Sequence, residues 1–186
     1  MNPSILKKSF DKYYNAPLQA WNEFYNRCDT VTFKKDETLK HPDTREKYFY
    51  FIIEGSAGIF LQNKNHSVCL DFSFDHEFHG DYLSLLIGEA TPLQSMALEK
   101  SKMLRISRQR LFELGARPLG NTILRIAAEA SFINKQQQQI DLLTKDAQER
   151  YRELTDKFPF IMRRIPLKHI ASYIGVTPQS LSRLRR

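Results

Sequence analysis

The residues best suited to chemistry with a partner stand at the C-terminal end, in the string IPLKHIASYIGVTPQSLSRLRR, residues 165–186. Pro166 fits the first turn of a helix that holds Leu167, Ile170, Ala171 and Ile174 on one side. Gly175 supplies a left-handed turn, Val176 plugs the angle, and Thr177 caps a second helix opened by Pro178 that turns Leu181 and Leu184 inward. Ala171 has to be small because the second helix crosses close over it. With the two leucines buried, Gln179, Ser180, Ser182, Arg183 and Arg186 project outward. A glutamine amide can pair twice with adenine and a guanidinium twice with guanine. Lys168, Ser172, Thr177 and Arg185 are better placed for phosphates. This is the grammar of a helix-turn-helix whose second helix enters a DNA major groove.

The charge distribution points the same way. Residues 1–144 hold 18 basic and 17 acidic side chains, whereas residues 145–186 hold 10 basic and 4 acidic ones. After Asp156 there is no carboxylate, so seven cations lack a local counter-charge and a polyanion is their natural partner. A merely solvated basic tail would not carry the apolar pattern just described.

Other chemistries find less support. His76, Glu77 and His79 form the string HEFH, which differs from the HExxH spacing of zinc proteases. A cupin-like metal-dependent enzyme would have to complete its ligand set with the scattered His41 and His66, so no metal site is assigned and ordinary loop histidines are the expectation. No nucleophile–base arrangement or phosphate-cradling glycine loop is present, so no enzymatic activity is expected. Cys28 and Cys69 lie in different segments and read as small hydrophobes. No apolar run approaches the ~20 residues that cross a bilayer. The opening MNPSILKKSF also lacks the apolar core of a secretory signal, and a cytoplasmic protein is expected.

Three compositional zones position these residues. In residues 1–116 two short helical patterns, built on Ile5, Leu6, Phe10 and Tyr13 and then on Leu18, Trp21 and Phe24 or Tyr25, precede a run of strands. The segments VTFKK, ETLK, YFYFIIEG, AGIFLQ, SVCLDFSF and MLRIS are rich in β-branched and aromatic residues and recur at intervals of roughly ten, the pattern of a β-barrel or jelly roll. In residues 117–143, Leu119, Ile123, Ile126, Ala130, Ile133, Gln137 and Ile140 alternate at spacings of four and three, the rhythm of a coiled-coil seam, on a helix with Pro118 in its first turn. The seam predicts self-association into a homodimer, with Gln137 fixing register; capping of its own barrel is the alternative use. In residues 144–186, Thr144 reads as the cap of a helix with Ala147, Tyr151, Leu154 and Phe158 on one face, followed by the helix pair above.

A jelly roll, a long dimer helix and a C-terminal helix-turn-helix in this order resemble the Crp/Fnr family of transcription regulators, in particular those of the Bacteroidetes type. The resemblance spans nearly the whole chain. It is carried by YFYFIIEGSAGIF, by FHGDYLSLLIGE, which is similar to the family's phosphate-binding cassette, and by IASYIGVTPQSLSRLRR. It implies an α+β chain: an N-terminal double-stranded β-helix of the cyclic-nucleotide-binding type, a dimerisation helix and a DNA-binding unit. Its implied partners are double-stranded DNA, a second copy and RNA polymerase, with no membrane. Gln179 and Arg183, with Ser180 alongside, occupy the family's base-contacting positions, while Pro178 stands where several relatives place a further polar contact.

The pocket departs from the family pattern. Relatives that bind cyclic nucleotides use a Gly-Glu pair on the ribose and an arginine on the phosphate. The matching stretches here read Gly80-Asp81 and Gln94-Ser95. Without a guanidinium a buried phosphate loses a charge-assisted contact, so cyclic AMP is not expected as effector. Gly80, Asp81, Gln94 and Ser95 either line a pocket for another small molecule or belong to a barrel that only supports dimerisation. A signalling adaptor that does not bind DNA is the remaining alternative.

Overall fold

The strand-rich segment forms two four-stranded antiparallel sheets. The computed structural model describes residues 2–63 and 66–185; Arg186 and the side chain of His66, both singled out in the sequence, lie outside the described residues. Two short helices, α1 (Ser4–Phe10) and α2 (Leu18–Tyr25), lead into β1 (Asp29–Phe33), β2 (Thr38–Lys40), β3 (Tyr48–Glu54), β4 (Ala57–Asn63), β5 (His66–Ser73) and β6 (Phe78–His79). Helix α3 (Tyr82–Ile87) separates these from β7 (Leu93–Ala97) and β8 (Ser101–Ser107). One sheet has the order β1-β8-β3-β6 and the other β2-β7-β4-β5. Strands distant in sequence are therefore neighbours, as in a jelly roll.

The corner between β3 and β4 depends on Gly55. Its φ is +114°, and a β-carbon built there would lie 2.3 Å from Ser101 Oγ, so no other residue fits without displacing β8.

After the barrel come α4 (Arg108–Gly115), the long α5 (Pro118–Thr144), α6 (Ala147–Lys157), α7 (Ile161–Arg164), α8 (Leu167–Tyr173) and α9 (Pro178–Leu184). Pro118 opens α5, as its fixed φ favours. The cap of α6 is not Thr144, as the sequence suggested, but Asp146. The Asp146 carboxylate accepts from Glu149 N while the Glu149 side chain accepts from Asp146 N. This reciprocal box satisfies two amides that a threonine two residues earlier cannot reach, and α5 runs on to Thr144.

Three apolar clusters hold the chain together. Tyr50, Ile52, Ala57 and Met103 form a small one with Val31, Phe33 and Leu39. A second joins Phe51, Leu104 and Ile106 of the barrel to Leu6, Phe10, Trp21 and Phe24 of α1 and α2, with Ile123 and Ile126 of α5 packed against it. The third joins Phe60, Cys69, Phe72, Phe74 and Leu98 of the barrel to Leu154, Ile161, Ile165, Ile170, Ala171, Ile174 and Leu181 of the last four helices. Burying each Leu, Ile or Phe contributes roughly 1.5–3 kcal/mol, so the C-terminal helices are fastened to the barrel by a common core.

Candidate nucleic-acid interface and effector pocket

The C-terminal pair of helices follows from local chemistry. Ile170, Ala171 and Leu181 are fully buried, and Ile174 nearly so. Gly175 takes φ +76°, the left-handed conformation that ends α8. Val176 N donates to Ala171 O at 2.9 Å and closes the turn. Thr177 caps α9 by accepting from Ser180 N at 3.1 Å, and Pro178 occupies the first turn.

With Leu181 turned inward, Gln179, Ser182 and Arg183 are exposed together on α9, Arg185 is exposed at its C-cap, and Lys168 is exposed on α8. Thr177 and Ser180 are committed to the cap, their hydroxyls 3.0 Å apart. Ser172 is placed differently. Its Oγ accepts from Cys69 N at 2.9 Å, so it caps an amide on β5, the last strand of its sheet, instead of standing free for a phosphate. Nothing in the sequence links two residues 103 positions apart.

The basic surface is uneven. Arg150 is turned back onto the fold, donating from Nε to Ile174 O at 2.9 Å and from Nη1 to Lys145 O. Arg164 points at the barrel, where it meets Asp75 and Glu99. Among the described residues the exposed cations of this region are Arg152, Lys157, Arg163, Lys168, Arg183 and Arg185, of which the last three belong to α8, α9 and its C-cap. His169 packs edge-on against Phe60, ring centroids 4.9 Å apart, and burial together with nearby Lys168 holds its imidazole below its ordinary pKa.

Along α5 the seam divides. Leu119, Ile123, Ile126 and Ala130 are half-buried, and Ile123 and Ile126 pack on the chain's own core. Ile133, Gln137 and Ile140 are exposed, Ile133 to 65% and Ile140 to 49%. Phe132 and Leu143, at 63% and 80%, widen this apolar face beyond the stripe read from the sequence.

The four pocket residues are tied into the barrel. Gly80 and Asp81 border a cavity of about 1280 Å³ between the barrel, α1, α2 and α5, lined also by Trp21, Phe78, Tyr82 and Leu124. Gln94 and Ser95 are not among its lining residues. Asp81 is 2% exposed and caps α3 by accepting from Ser84 N at 3.1 Å. It also accepts from Thr91 Oγ1 and pairs with Lys40, whose Nζ lies 3.2 Å from Asp81 Oδ2. Lys40 spends its remaining donors on Leu93 O at 2.7 Å and on Thr91 and His41 carbonyls. Glu46 completes the cluster, accepting from Asp81 N at 3.1 Å, with burial holding its carboxyl above the usual range. Gln94 donates to Thr38 Oγ1 and accepts from Gln62.

Ser95 Oγ stands 2.6 Å from His79 Nε2, and His79 Nδ1 stands 3.1 Å from Ser73 Oγ. Complete burial pushes the His79 imidazole down to about 4, so it is neutral at pH 7. In the HEFH string, Glu77 accepts from Phe74 N at 2.9 Å and His76 takes a left-handed turn, φ +64°. Among the described residues no group of three or more His, Cys, Asp or Glu is gathered to hold a metal. Lys40 of β2, Ser84 of α3 and the loop residues Glu46 and Thr91 carry no sequence signal, because isolated polar residues have no periodicity to mark them.

The two sheets, the helix α3 inserted between β6 and β7, and the Gly80-Asp81 cap define the fold type. Residues 30–117 match the cyclic nucleotide-binding domain. No curated protein matches the chain. The cyclic nucleotide-binding architecture recurs with its following helices in solved structures. The c-di-GMP-responsive global regulator CLP of Xanthomonas campestris aligns with a TM-score of 0.70 and 16% identity over 90% of this chain and 89% of that one. FixK2 of Bradyrhizobium japonicum aligns at 0.70 and 18%, covering 85% and 82%. The catabolite activator protein of Thermus thermophilus aligns at 0.60 and 16%, covering 93% and 84%. At these identities the likeness is one of fold. Among the described residues no helix is long and apolar enough to cross a membrane.

Proposed function

We propose that the protein is a DNA-binding transcription regulator of the Crp/Fnr type that acts as a homodimer. The observation that carries this reading is the face of α9 and its C-cap: Gln179, Ser182, Arg183 and Arg185 exposed, with Leu181 buried, in a stretch free of carboxylates. Helix α8, the turn at Gly175 and α9 act as a helix-turn-helix, with Gln179 and Arg183 reading base edges and Lys168 and Arg185 meeting phosphates. The exposed apolar half of α5, from Phe132 to Leu143, is the dimer seam. Pairing there sets two α9 helices on successive major grooves about 34 Å apart and calls for a near-palindromic operator.

Cyclic AMP is not the effector in this reading. Gln94 brings no charge to a phosphate, and the Asp81 carboxylate already serves Lys40, Thr91 and Ser84. Displacing that buried pair to seat a second anion would expose an unpaired charge to the interior. RNA polymerase is the further partner that the reading implies.

Selection of bound fragments from a random DNA pool tests the proposal. Recovery of sequences with two-fold symmetry supports it. A monomeric protein that retains no duplex above background at moderate salt overturns it.

A further inference from the structure

The joint between the long helix and the C-terminal helices is made of two residues. Lys145 and Asp146 are both extended, with ψ of 144° and 172°, so the helical hydrogen-bond ladder is broken there. Lys145 pairs with Asp141 of α5 and Glu153 of α6, but these partly exposed bridges hold the angle between α5 and α9 only weakly. That angle is set by what holds the C-terminal helices to the barrel: the shared apolar core, the Ser172–Cys69 bond and, as its charged part, Arg164.

Arg164, the last residue of α7, reaches three separate barrel segments. Its Nε and Nη2 donate to Glu99 Oε1 at 3.0 and 2.6 Å, between β7 and β8. Its Nη1 donates to Asp75 Oδ2, between β5 and β6. Nη2 also donates to Gly55 O at 2.8 Å, in the β3–β4 corner. The guanidinium lies 5.4 Å from the ring centre of Phe74 and 5.2 Å from that of Phe160, two rings that pack edge to face 4.9 Å apart and form one aromatic wall beside it. Asp75 is itself held, since Gly55 N donates to its other oxygen at 2.8 Å. The planar fork meets acceptors in a fixed array that a lysine cannot match.

We infer that Arg164 is a positioning residue for DNA recognition: by clamping the C-terminal helices to the barrel it fixes the separation of the two half-sites that a dimer can engage. This rests on the reading of the protein as a dimeric DNA-binding regulator. The clamp touches no base or phosphate. Loosening it leaves the α9 face intact but lets each copy pivot at residues 145 and 146, so operators of the wrong spacing become less unfavourable.

The test uses operators recovered by selection, with one or two base pairs inserted or deleted at the centre, and a single half-site as control. The variants are Asp75→Asn with Glu99→Gln, which keep shape and the Arg164 stacking, and Glu99→Gln alone as the milder change. The wild type is expected to discriminate strongly between the selected and altered spacings. In the double variant that ratio falls about fivefold, as expected for losing a partly exposed polar clamp of roughly 1 kcal/mol, while half-site affinity stays the same. A variant that melts earlier but keeps the wild-type spacing ratio overturns the inference and leaves the proposed function standing. A wild type without spacing preference on any duplex overturns both.

Discussion

Lys40 Nζ and Asp81 Oδ2 form an ion pair 3.2 Å apart in the interior of the barrel, with side chains 2% and 1% exposed. The two residues come from β2 and from the cap of α3, and the pairing of β2 with β7 brings them together through Thr91 and Leu93. Both residues lie within the segment that matches the cyclic nucleotide-binding domain.

Removing one member leaves the other charge buried. Lys40→Met is expected to cost ~3–5 kcal/mol in urea unfolding, and Lys40→Met with Asp81→Asn to recover most of it, because the amide still accepts from Ser84 N without an orphaned charge. Equal losses in the single and double variants would show that the pair is not what the barrel relies on.

His79 sets a pH dependence whose sign is fixed. Its folded pKa of about 4 lies below the ordinary 6.5, so the unfolded chain binds the proton first as pH falls. Stability is full above about 6.5 and declines toward 4, with a loss of ~2 kcal/mol by pH 5. Buried Glu46 and Glu77, held above their ordinary values, act in the opposite sense, so the His79 contribution is the difference between wild type and His79→Gln. Parallel urea titrations at pH 7.5 and pH 5 measure it, and identical pH slopes for the two proteins would contradict it.

The two halves of the α5 seam separate by mutation. Ile133→Glu and Ile140→Glu are expected to yield folded monomers in sedimentation equilibrium, because both side chains are exposed in the single chain. Ile126→Glu should instead lower the melting temperature, since Ile126 packs against the core of α1 and α2. Dimers that survive the double Glu variant would place the interface elsewhere.

On DNA, Arg183→Ala should relax base preference at one position in each half-site, at a cost of ~1–3 kcal/mol on the selected operator. Lys168→Ala should weaken all duplexes alike and reduce the slope of log affinity against log salt by about one. Titrations at several salt concentrations distinguish the two. If both variants lowered affinity without changing preference, α9 would not be the reading helix.

The C-terminal helices were legible because their determinants are local. A left-handed Gly175, a Thr177 cap and Pro178 in the first turn act within a few residues, and the spacing of Ile170 and Ile174 marks the buried side of α8. The same holds for α5 and for the strands, whose period separates one face from the other. Tertiary structure alone decided the partners of polar residues. Ser172, which local spacing presents as a phosphate contact, serves an amide of β5. Arg164, one of seven uncompensated cations by sequence, is met by Asp75 and Glu99 from loops 89 and 65 residues away. Asp81 is answered by Lys40. Periodicity reports which way a side chain faces relative to its own element, whereas the group it meets depends on strand order and register, which hydrophobic burial fixes over the whole chain.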